Sequence, residues 1–449
     1  MLTQAQNDML TRTGPGTPMG ALFRRFWQPV LLSRELPEPD GPPVRVKVLG
    51  EDFIAFRDSA GSVGLLEPRC PHRGANLFFG RNEAGGIRCA YHGWKFDVRG
   101  RCLDIPTMAP DAPTYEHLRG RAGIVAYPTR EWGECVWAYL GPAEAMPPLP
   151  ELEFALVDPA HRYVSKKLQE CNWAQSAEGG IDTAHFSFLH KIPSKDEKTK
   201  LEIFRTTSAI GAGQDVQDRV RWVMDDPRPK FAIAGHDTGL VIGAARKTDS
   251  ADKYWRISQF LMPSHALVPV AFPGDVYHGQ CWVPVDDVNC WIYTYSWLPD
   301  RPFTNSEREK YAKGLSLHAE VDADYVPVRN IHNDYMLDRE KQKTESFTGI
   351  MGVSEQDAAI QDSQGPIQDR TREHLGPTDV GIVEFRKLVM GAARALATGD
   401  EPKAAGAASR YAVRAGGWIA GPDKDFATVM TERFGHRHGY VGNEHGLGN

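Results

Sequence analysis

The sequence predicts an α+β chain in which a small all-β domain precedes a larger domain of helices and strands. Short alternating segments such as VRVKVLG and EDFIAFRD, separated by Gly and Asp, are typical of half-buried strands in residues 43–150. Proline-rich stretches border that region at LPEPDGPP and near residue 150. Beyond it, residues 151–400 mix helix-compatible stretches with strand-like ones such as KYWRISQFLMP, which predicts an α+β domain.

The two ends of the chain are expected to be accessory segments. Residues 1–42 predict a helical lead-in that ends in the proline-rich turn. Residues 401–449 are rich in Gly, Ala and charge, and they predict a C-terminal tail that lies on a surface. The chain shows no internal repeat, GxGxxG or P-loop, so we expect no nucleotide site of its own.

Composition excludes several classes of function. With 449 residues, 41% hydrophobic and 24% charged content and a net charge of −6, the chain reads as an ordinary globular protein without attraction to nucleic acid. No apolar run approaches the roughly 20 residues of a membrane span, and the N-terminus lacks a secretion signal. Seven scattered cysteines do not suggest a disulfide framework. We therefore expect a cytoplasmic protein with no membrane or nucleic-acid partner.

The β-domain contains two short motifs with metal-ligand spacing. They are Cys70-x-His72 and, after sixteen residues, Cys89-x-x-His92, each followed by Gly. Two thiolates and two imidazoles suit a structural zinc ion or a [2Fe–2S] cluster. Zinc sites generally bring in like ligands together, whereas here each loop contributes one Cys and one His. This mixture favours the cluster, with the cysteines on the buried iron and the histidines on the outer one.

A second motif lies in the larger domain, in AEGGIDTAHFSFLHK. Glu178, Asp182 and His185 are spaced i, i+4 and i+7, so a helix would place them on one face, and His190 follows five residues later. Two histidines from one segment with one remote carboxylate form a facial triad that leaves open positions on Fe(II) for dioxygen. Taken alone, two histidines at this spacing are also compatible with a structural role.

These motifs identify a family resemblance. CPHRG, CAYHGW, Glu-x3-Asp-x2-His-x4-His and the segment FTGIMGVSEQDAAIQDSQGPIQDR resemble Rieske non-haem iron ring-hydroxylating oxygenases. They are most similar to the α subunits of the phthalate and phenoxybenzoate dioxygenase branch, which includes aryl O-demethylases. The resemblance implies an N-terminal all-β Rieske [2Fe–2S] domain. It also implies an α+β catalytic domain with an antiparallel sheet flanked by helices.

The resemblance also implies roles for individual residues. Asp357 matches the carboxylate ligand that completes the triad with His185 and His190, and Asp182 matches the residue that bridges the two metal centres between neighbouring subunits. Glu178 fits less well, because Gly179 stands where many members have Asn. For Asp357 the alternative is a capping box, Ser354-x-x-Asp357. Two other acids in the segment are alternatives, Asp362, which falls about 140° round the helix from Asp357, and Asp369.

The implied chemistry is oxygenation by a terminal oxygenase. Electrons from NAD(P)H would come through a separate reductase, with or without a ferredoxin, and the chain is expected to form a homotrimer. We expect hydroxylation of a small aromatic carboxylate by ring dioxygenation. O-demethylation of a methoxylated, lignin-derived acid is an alternative, and a non-enzymatic Rieske electron-transfer protein is a second one. Arg246 is the candidate clamp for a substrate carboxylate, with Tyr335 and Asn333 as further candidates.

Overall fold

A computed structural model describes residues 1–193, 215–269, 275–430 and 432. The chain divides into two compact units. We call residues 14–16 and 23–147 the β unit, and residues 1–13, 17–22 and 148 onward the mixed unit. Among the described residues, no helix is both long enough and apolar enough to cross a membrane.

The β unit consists of short antiparallel strands in three sheets. The sheet orders are β1-β11-β10, β2-β3-β4-β9 and β5-β6-β7-β8. The elements are β1 (Trp27–Leu32), β2 (Val44–Val48), β3 (Glu51–Arg57), β4 (Val63–Leu66), β5 (Arg81–Glu83), β6 (Gly86–Arg88), β7 (Lys95–Phe96), β8 (Cys102–Asp104), β9 (Ala126–Tyr127), β10 (Thr129–Trp132) and β11 (Cys135–Tyr139), with one helix, α3 (Tyr115–Arg121).

The mixed unit is built on a single antiparallel sheet of eight strands within the described residues, in the order β12-β18-β17-β16-β15-β14-β13, with β19 also paired to β15. Its strands are β12 (Arg162–Gln169), β13 (Lys230–His236), β14 (Gly239–Lys247), β15 (Lys253–Leu261), β16 (His265–Leu267), β17 (Tyr277–Pro284), β18 (Cys290–Trp297) and β19 (Gly416–Ala420). The α+β fold class predicted from the sequence is confirmed.

Helices of the mixed unit lie before, between and after these strands. They are α1 (Gln4–Thr11), α2 (Pro18–Phe23), α4 (Glu153–Leu156), α5 (Trp173–Ile181), α6 (Phe186–Leu189), α7 (Asp215–Asp225), α8 (Asn305–Ala312), α9 (Arg339–Thr344), α10 (Val353–Ser363), α11 (Val380–Ala397), α12 (Lys403–Gly406) and α13 (Phe426–Val429). The last residue of α2, Phe23, falls in the β unit.

The structure draws the domain boundaries differently from the sequence-based division at both ends of the chain. The first helix belongs to the mixed unit, where the Leu2 backbone N–H donates to the Arg370 carbonyl and the Trp173 indole donates to the Leu10 carbonyl. Residues 23–42, grouped with the lead-in on the sequence, belong to the β unit. At the other end, β19 adds a strand beside β15. Non-local pairing of this kind leaves no local signal in composition.

Helix α5 packs against β17 at a glycine. A Cβ added to Gly180 would lie 2.2 Å from Cη2 of Trp282, a fully buried ring on β17. Only hydrogen fits there, so the helix approaches the sheet more closely than an alanine would allow. This close approach fixes the height of α5, and therefore of the segment that follows it, above the sheet.

We predict that Gly180→Ala destabilises the protein by about 1–3 kcal/mol, because the added methyl overpacks a rigid contact. The control is Gly391→Ala in α11, where an added Cβ meets nothing within 4 Å. There the higher helix propensity of Ala should stabilise by up to about 1 kcal/mol. Denaturant unfolding monitored by tryptophan fluorescence measures both. Equal effects of the two substitutions would contradict the packing explanation.

Candidate metal centre

Two histidines lie at the two ends of one short helical turn. His185 immediately precedes α6 and His190 immediately follows it. Helix α5 ends before Asp182, whose backbone is extended at φ −71° and ψ 129°. The Asp182 carboxylate accepts the backbone N–H groups of Ala184 at 2.7 Å and of His185 at 3.3 Å. This local capping stops α5, starts the next turn and places both imidazoles on the same short segment.

Helix α10 supplies a carboxylate, Asp357, from a distant part of the sequence. The helix begins at Val353 after Gly352, which has a left-handed backbone at φ +90° and provides no side-chain cap. Ser354 lies inside the helix, and its hydroxyl accepts a hydrogen bond from the Lys167 ammonium at 2.6 Å. Ser354 is therefore not the N-cap that a capping box with Asp357 would require. The helix start is therefore specified without the Asp357 side chain, which is available for another contact.

The three side chains converge. Asp357 Oδ1 lies 3.5 Å from Nε2 of His185 and 3.3 Å from Nε2 of His190. The two imidazole rings are 5.3 Å apart at an angle of 70°. Among the described residues, these three offer ligand atoms that all lie within 4.8 Å of one another. Two imidazole nitrogens and one carboxylate oxygen facing a common point match the donor set of a facial triad for Fe(II).

Each histidine is oriented by a hydrogen bond from its other nitrogen. Nδ1 of His185 donates to Oδ2 of Asp182 at 3.2 Å, and Nδ1 of His190 donates to Oε1 of Gln356 at 2.7 Å. The Gln356 amide nitrogen in turn donates to the Ile350 carbonyl at 2.9 Å. With Nδ1 used as the donor in both rings, both Nε2 lone pairs can face Asp357.

Electrostatics prepares the site for a cation. Burial works against ionisation of Asp357, but the charges of His190 and His185 outweigh it and hold its pKa below the usual range. Burial likewise opposes ionisation of Asp182, and the hydrogen bond from His185 more than compensates, so its pKa is also lowered. Both carboxylates are therefore ionised at neutral pH, as ligands of a divalent ion and their supports need to be.

The other acidic candidates point elsewhere. Asp362, on the far side of α10 as its helical position predicts, accepts a hydrogen bond from the buried Tyr335 hydroxyl. Asp369 is exposed and accepts from Thr371. Asn333, also exposed, donates its amide to a backbone carbonyl at 2.8 Å. Neither acid belongs to the convergent group, and neither Tyr335 nor Asn333 hydrogen-bonds a member of the triad.

Glu178 has a structural partner set of its own. Its carboxylate accepts from Arg386 Nε at 2.7 Å and from Arg370 Nη2 at 3.1 Å, and Arg386 is also paired with Glu373. The side chains of Glu178, Arg370 and Arg386 are all nearly inaccessible to solvent. Although burial opposes ionisation, the two guanidinium groups lower the pKa of Glu178. This ion-pair network ties the middle of α5 to α11, one turn before Asp182.

A crevice of about 210 Å³ reaches the triad from the side of Asp182. Asp182, His185 and Asp357 line it together with apolar side chains such as Leu189, Ile360 and Ile382. Asp182 keeps 21% of its side chain accessible and His185 keeps 24%. Both side chains are therefore accessible from the crevice.

The Cys–His loops of the β unit form two matching turns. The Gly74 N–H donates to the Cys70 carbonyl at 2.8 Å, and the Gly93 N–H donates to the Cys89 carbonyl at 3.0 Å. Both glycines have left-handed backbones, at φ +73° and +76°. At Gly93 a Cβ would also lie 2.6 Å from the Pro106 ring. Glycine is required at the end of each turn, which fixes the direction of the residues before it.

The four predicted cluster ligands lie together at these turns. Cys70 and Cys89 are buried as free thiols, whereas His72 and His92 are half-buried with ring centroids 4.5 Å apart. Burial, together with the neighbouring Cys89, raises the pKa of Cys70 to about 11. Trp94 stacks on His72 with centroids 4.5 Å apart and planes 3° apart. Two buried sulfurs beneath two outer imidazoles suit a cluster with one sulfur-ligated and one imidazole-ligated iron.

Arg246, the candidate carboxylate clamp, is 1% exposed. Its Nη2 donates to the Thr183 carbonyl at 2.9 Å and its Nε donates to the Asp226 carbonyl at 3.2 Å, while Nη1 is enclosed without a partner. Burial and the neighbouring Arg256 lower the pKa of Arg246 to about 9. The side chain therefore connects β14 to the segment that carries the two histidines.

A second buried arginine was not predicted from the sequence. The Arg256 guanidinium lies 4.4 Å from the ring centre of Phe186, and that ring lies 4.7 Å from the ring of His190. The Arg256 guanidinium makes no hydrogen bond or ion pair within the described part of the chain, and its Nε is fully enclosed. An arginine between Trp and Ile in the strand KYWRISQFL is a signal that sequence reasoning could have used.

Other site residues could not be found from the sequence. Gln356 is adjacent to Asp357, and neighbouring helical residues point about 100° apart, so spacing gives no reason to associate Gln356 with the triad. Arg370 and Arg386 lie about 200 residues from Glu178, and their pairing depends on tertiary packing.

Comparison with known families matches both parts of the chain. Residues 26–126 match the family described as Rieske [2Fe-2S] domain, and residues 138–415 match the family described as LigXa C-terminal domain like. The fold is also similar to the crystal structure of dicamba monooxygenase bound to dicamba, with a TM-score of 0.56 and 17% identity over 84% of this chain and all of that chain.

Three curated relatives cover most of the chain. The phthalate 4,5-dioxygenase oxygenase subunit of Pseudomonas putida is 36% identical over 89% of this chain and 88% of its own. The 3-chlorobenzoate-3,4-dioxygenase oxygenase subunit of Comamonas testosteroni is 34% identical over 96% and 99%. The 5,5'-dehydrodivanillate O-demethylase oxygenase subunit of a Sphingobium species is 31% identical over 90% and 83%.

We predict that Glu178→Gln destabilises the protein by about 3 kcal/mol at pH 7, because two buried guanidinium groups lose their shared anion. The pKa of Glu178 is lowered in the folded state from its ordinary 4.5. Its stabilising contribution is therefore complete above that ordinary value and disappears as the pH falls through the lowered one. The stability difference between wild type and variant should be constant from neutral pH to about pH 5 and shrink in more acidic solution.

The control for this prediction is Glu384→Gln on α11, whose partner Lys387 is largely exposed. Surface pairs contribute little, so we expect a change within about 0.5 kcal/mol. Denaturant unfolding over a pH series measures both variants. A Glu178→Gln variant as stable as Glu384→Gln at pH 7 would show that the network carries no net stabilisation.

Proposed function

The chain belongs to the Rieske non-haem iron oxygenase family, as an oxygenase subunit, and from that premise we propose that it hydroxylates a small aromatic carboxylate. The observation that carries the proposal is the convergence of His185, His190 and Asp357 in the mixed unit. A protein that only transferred electrons would have no use for this second site. The convergence therefore favours an oxygenase over a Rieske electron carrier.

In this proposal, the three residues hold a mononuclear Fe(II). Such a centre supplies open coordination positions at which dioxygen is activated. The chain's own contribution is to direct both Nε2 atoms inward, because Asp182 and Gln356 accept hydrogen bonds from the two Nδ1 atoms. Asp357 provides the anion.

The [2Fe–2S] cluster would be held by Cys70 and Cys89 on the inner iron and by His72 and His92 on the outer one. Half-buried imidazoles suit this role, because an electron can enter or leave through the outer side. Electrons would come from NAD(P)H through a separate reductase, directly or through a ferredoxin.

We further propose that electrons pass between subunits of a homotrimer. Asp182 lines the crevice and is partly accessible, so its carboxylate can accept a hydrogen bond from a cluster histidine of a neighbouring copy while it holds His185. A carboxylate between two imidazoles would couple proton position to electron arrival.

Aromatic-acid breakdown is the metabolic setting that hydroxylation of an aromatic carboxylate suggests.

The substrate class follows from buried positive charge and from the relatives. Two relatives are named for phthalate and 3-chlorobenzoate, both aromatic carboxylates. Arg246 and Arg256 are buried within reach of each other's charge, and the pKa of each is lowered, chiefly by burial. Two buried guanidinium groups without a carboxylate partner among the described residues favour an anionic ligand beside Phe186.

O-demethylation of a methoxylated aromatic acid is the second candidate. It is favoured by the relative named for 5,5'-dehydrodivanillate, which is also an aromatic acid. The same metal centre serves both reactions, and the group held nearest the metal decides between them. The geometry of the triad is therefore compatible with either.

A panel of benzoates, phthalates and their methoxylated forms tests the substrate class. With a reductase and NADH, we expect oxygen uptake with the acids and little with the matching carboxamides. A dihydrodiol product identifies ring dioxygenation, whereas formaldehyde release identifies O-demethylation. Uptake that is equal for acids and carboxamides would overturn the proposed class.

The role of the arginines has its own prediction. Arg256→Met should lower kcat/KM for the preferred acid about 10- to 100-fold, because a hydrogen bond to a charged group contributes about 1.5–3 kcal/mol. Activity on the carboxamide should change little. Arg246→Met is compared in the same assay with its iron content measured, because this residue also supports the segment of the two histidines. A carboxamide rate that falls as much as the acid rate would show a structural effect.

Mixed oligomers test electron transfer between subunits. Asp357→Ala should retain the visible spectrum of the cluster and lose the mononuclear iron, whereas Cys89→Ser or His92→Ala should lose the cluster. Each variant alone should be inactive. Oligomers containing both kinds of chain, isolated with two affinity tags, should regain part of the activity, because the intact cluster of one chain serves the intact triad of another. Inactive mixed oligomers with correct metal contents would contradict transfer between subunits.

A further inference from the structure

The two candidate metal ligands His185 and His190 have different hydrogen-bond partners. Nδ1 of His185 donates to the anionic carboxylate of Asp182, and Nδ1 of His190 donates to the neutral amide of Gln356. The second contact is the shorter, at 2.7 Å against 3.2 Å. The His190 ring is therefore oriented by an uncharged group that is 5% exposed.

Gln356 is itself fixed in one orientation. Its amide nitrogen donates to the Ile350 carbonyl at 2.9 Å, and this bond turns the amide oxygen toward His190. An oxygen can only accept, so Nδ1 of His190 must carry a proton, and in the neutral ring Nε2 then presents its lone pair to the site. The same helix that supplies Asp357 thus also sets the tautomer of the opposite imidazole.

The charge of the site gives a reason for an amide at this position. Two carboxylate side chains already face this pair of imidazoles, Asp357 beside the two Nε2 atoms and Asp182 behind His185. A third carboxylate behind His190 would give the site an excess of negative charge. A glutamine supplies the same acceptor oxygen without that charge.

We propose that Gln356 is a positioning residue for His190: it fixes the Nδ1-protonated tautomer and the ring angle, and its neutrality makes the two imidazole ligands inequivalent. This inference rests on the proposed function, in which His190 binds Fe(II). Gln356 does not contact substrate in this role. It acts on the metal only through the imidazole.

The test uses full-length protein with its cluster intact and the mononuclear iron removed by a chelator. Fe(II) affinity is measured by competition with a chelator, and the EPR spectrum of the nitric oxide adduct of Fe(II) reports the symmetry of the site. Gln356→Met keeps the volume and removes the acceptor, and Gln356→Glu keeps the acceptor and adds charge. Gln361→Met is the matched control, a buried amide on the same helix that bonds Gln169.

We expect Gln356→Met to weaken Fe(II) binding about 10- to 100-fold, the usual effect of removing such a support. Gln356→Glu should retain near wild-type affinity with an altered nitric oxide spectrum, and Gln361→Met should retain both affinity and spectrum. Gln356→Met with wild-type affinity, or an equal loss in Gln361→Met, overturns the inference. If Gln356→Met does not fold, an unaltered spectrum in Gln356→Glu overturns it. Wild-type protein that binds no Fe(II) would instead refute the proposed function.

Discussion

The candidate site depends on one constraint, the orientation of two imidazole rings so that both Nε2 atoms face the same carboxylate oxygen. An imidazole can present either nitrogen, and a free histidine exchanges its proton between them. Here each Nδ1 is occupied as a donor, to Asp182 in one ring and to Gln356 in the other. If either bond were lost, that ring could rotate or change tautomer, and the two Nε2 atoms would no longer both face Asp357.

The surrounding structure serves to hold those two acceptors in place. Asp182 lies at the end of α5, whose height is set by the Gly180–Trp282 contact and whose middle is tied to α11 through Glu178. Gln356 lies on α10, which Lys167 of the sheet contacts through Ser354. Two helices that are far apart in the sequence are thus fixed against one sheet. Rigid supports of this kind reduce the reorganisation that metal binding requires.

The β unit solves a similar problem by repetition. Its two loops use the same backbone hydrogen bond and a glycine with a left-handed backbone after the ligand residues. The sulfurs lie inside and the imidazoles lie nearer the solvent, so burial alone separates the two kinds of ligand. In the mixed unit the ligands come from a loop and a helix, and no local repeat marks them. The difference explains why the first motif is easier to recognise in a sequence than the second.

The sequence alone was sufficient to predict the α+β class and the four residues of the Cys–His loops, because local spacing carries that information. The pairing of His185 with His190 was predicted by their spacing together with the family resemblance. Asp357 was selected by resemblance and by helical angle, which separates it from Asp362. Only the tertiary structure decided which groups support those ligands: Gln356 behind His190, the arginines that bind Glu178, and Arg256 against Phe186. The physical reason is that such contacts join residues that are adjacent in space and unrelated in spacing, so no periodicity of the chain can encode them.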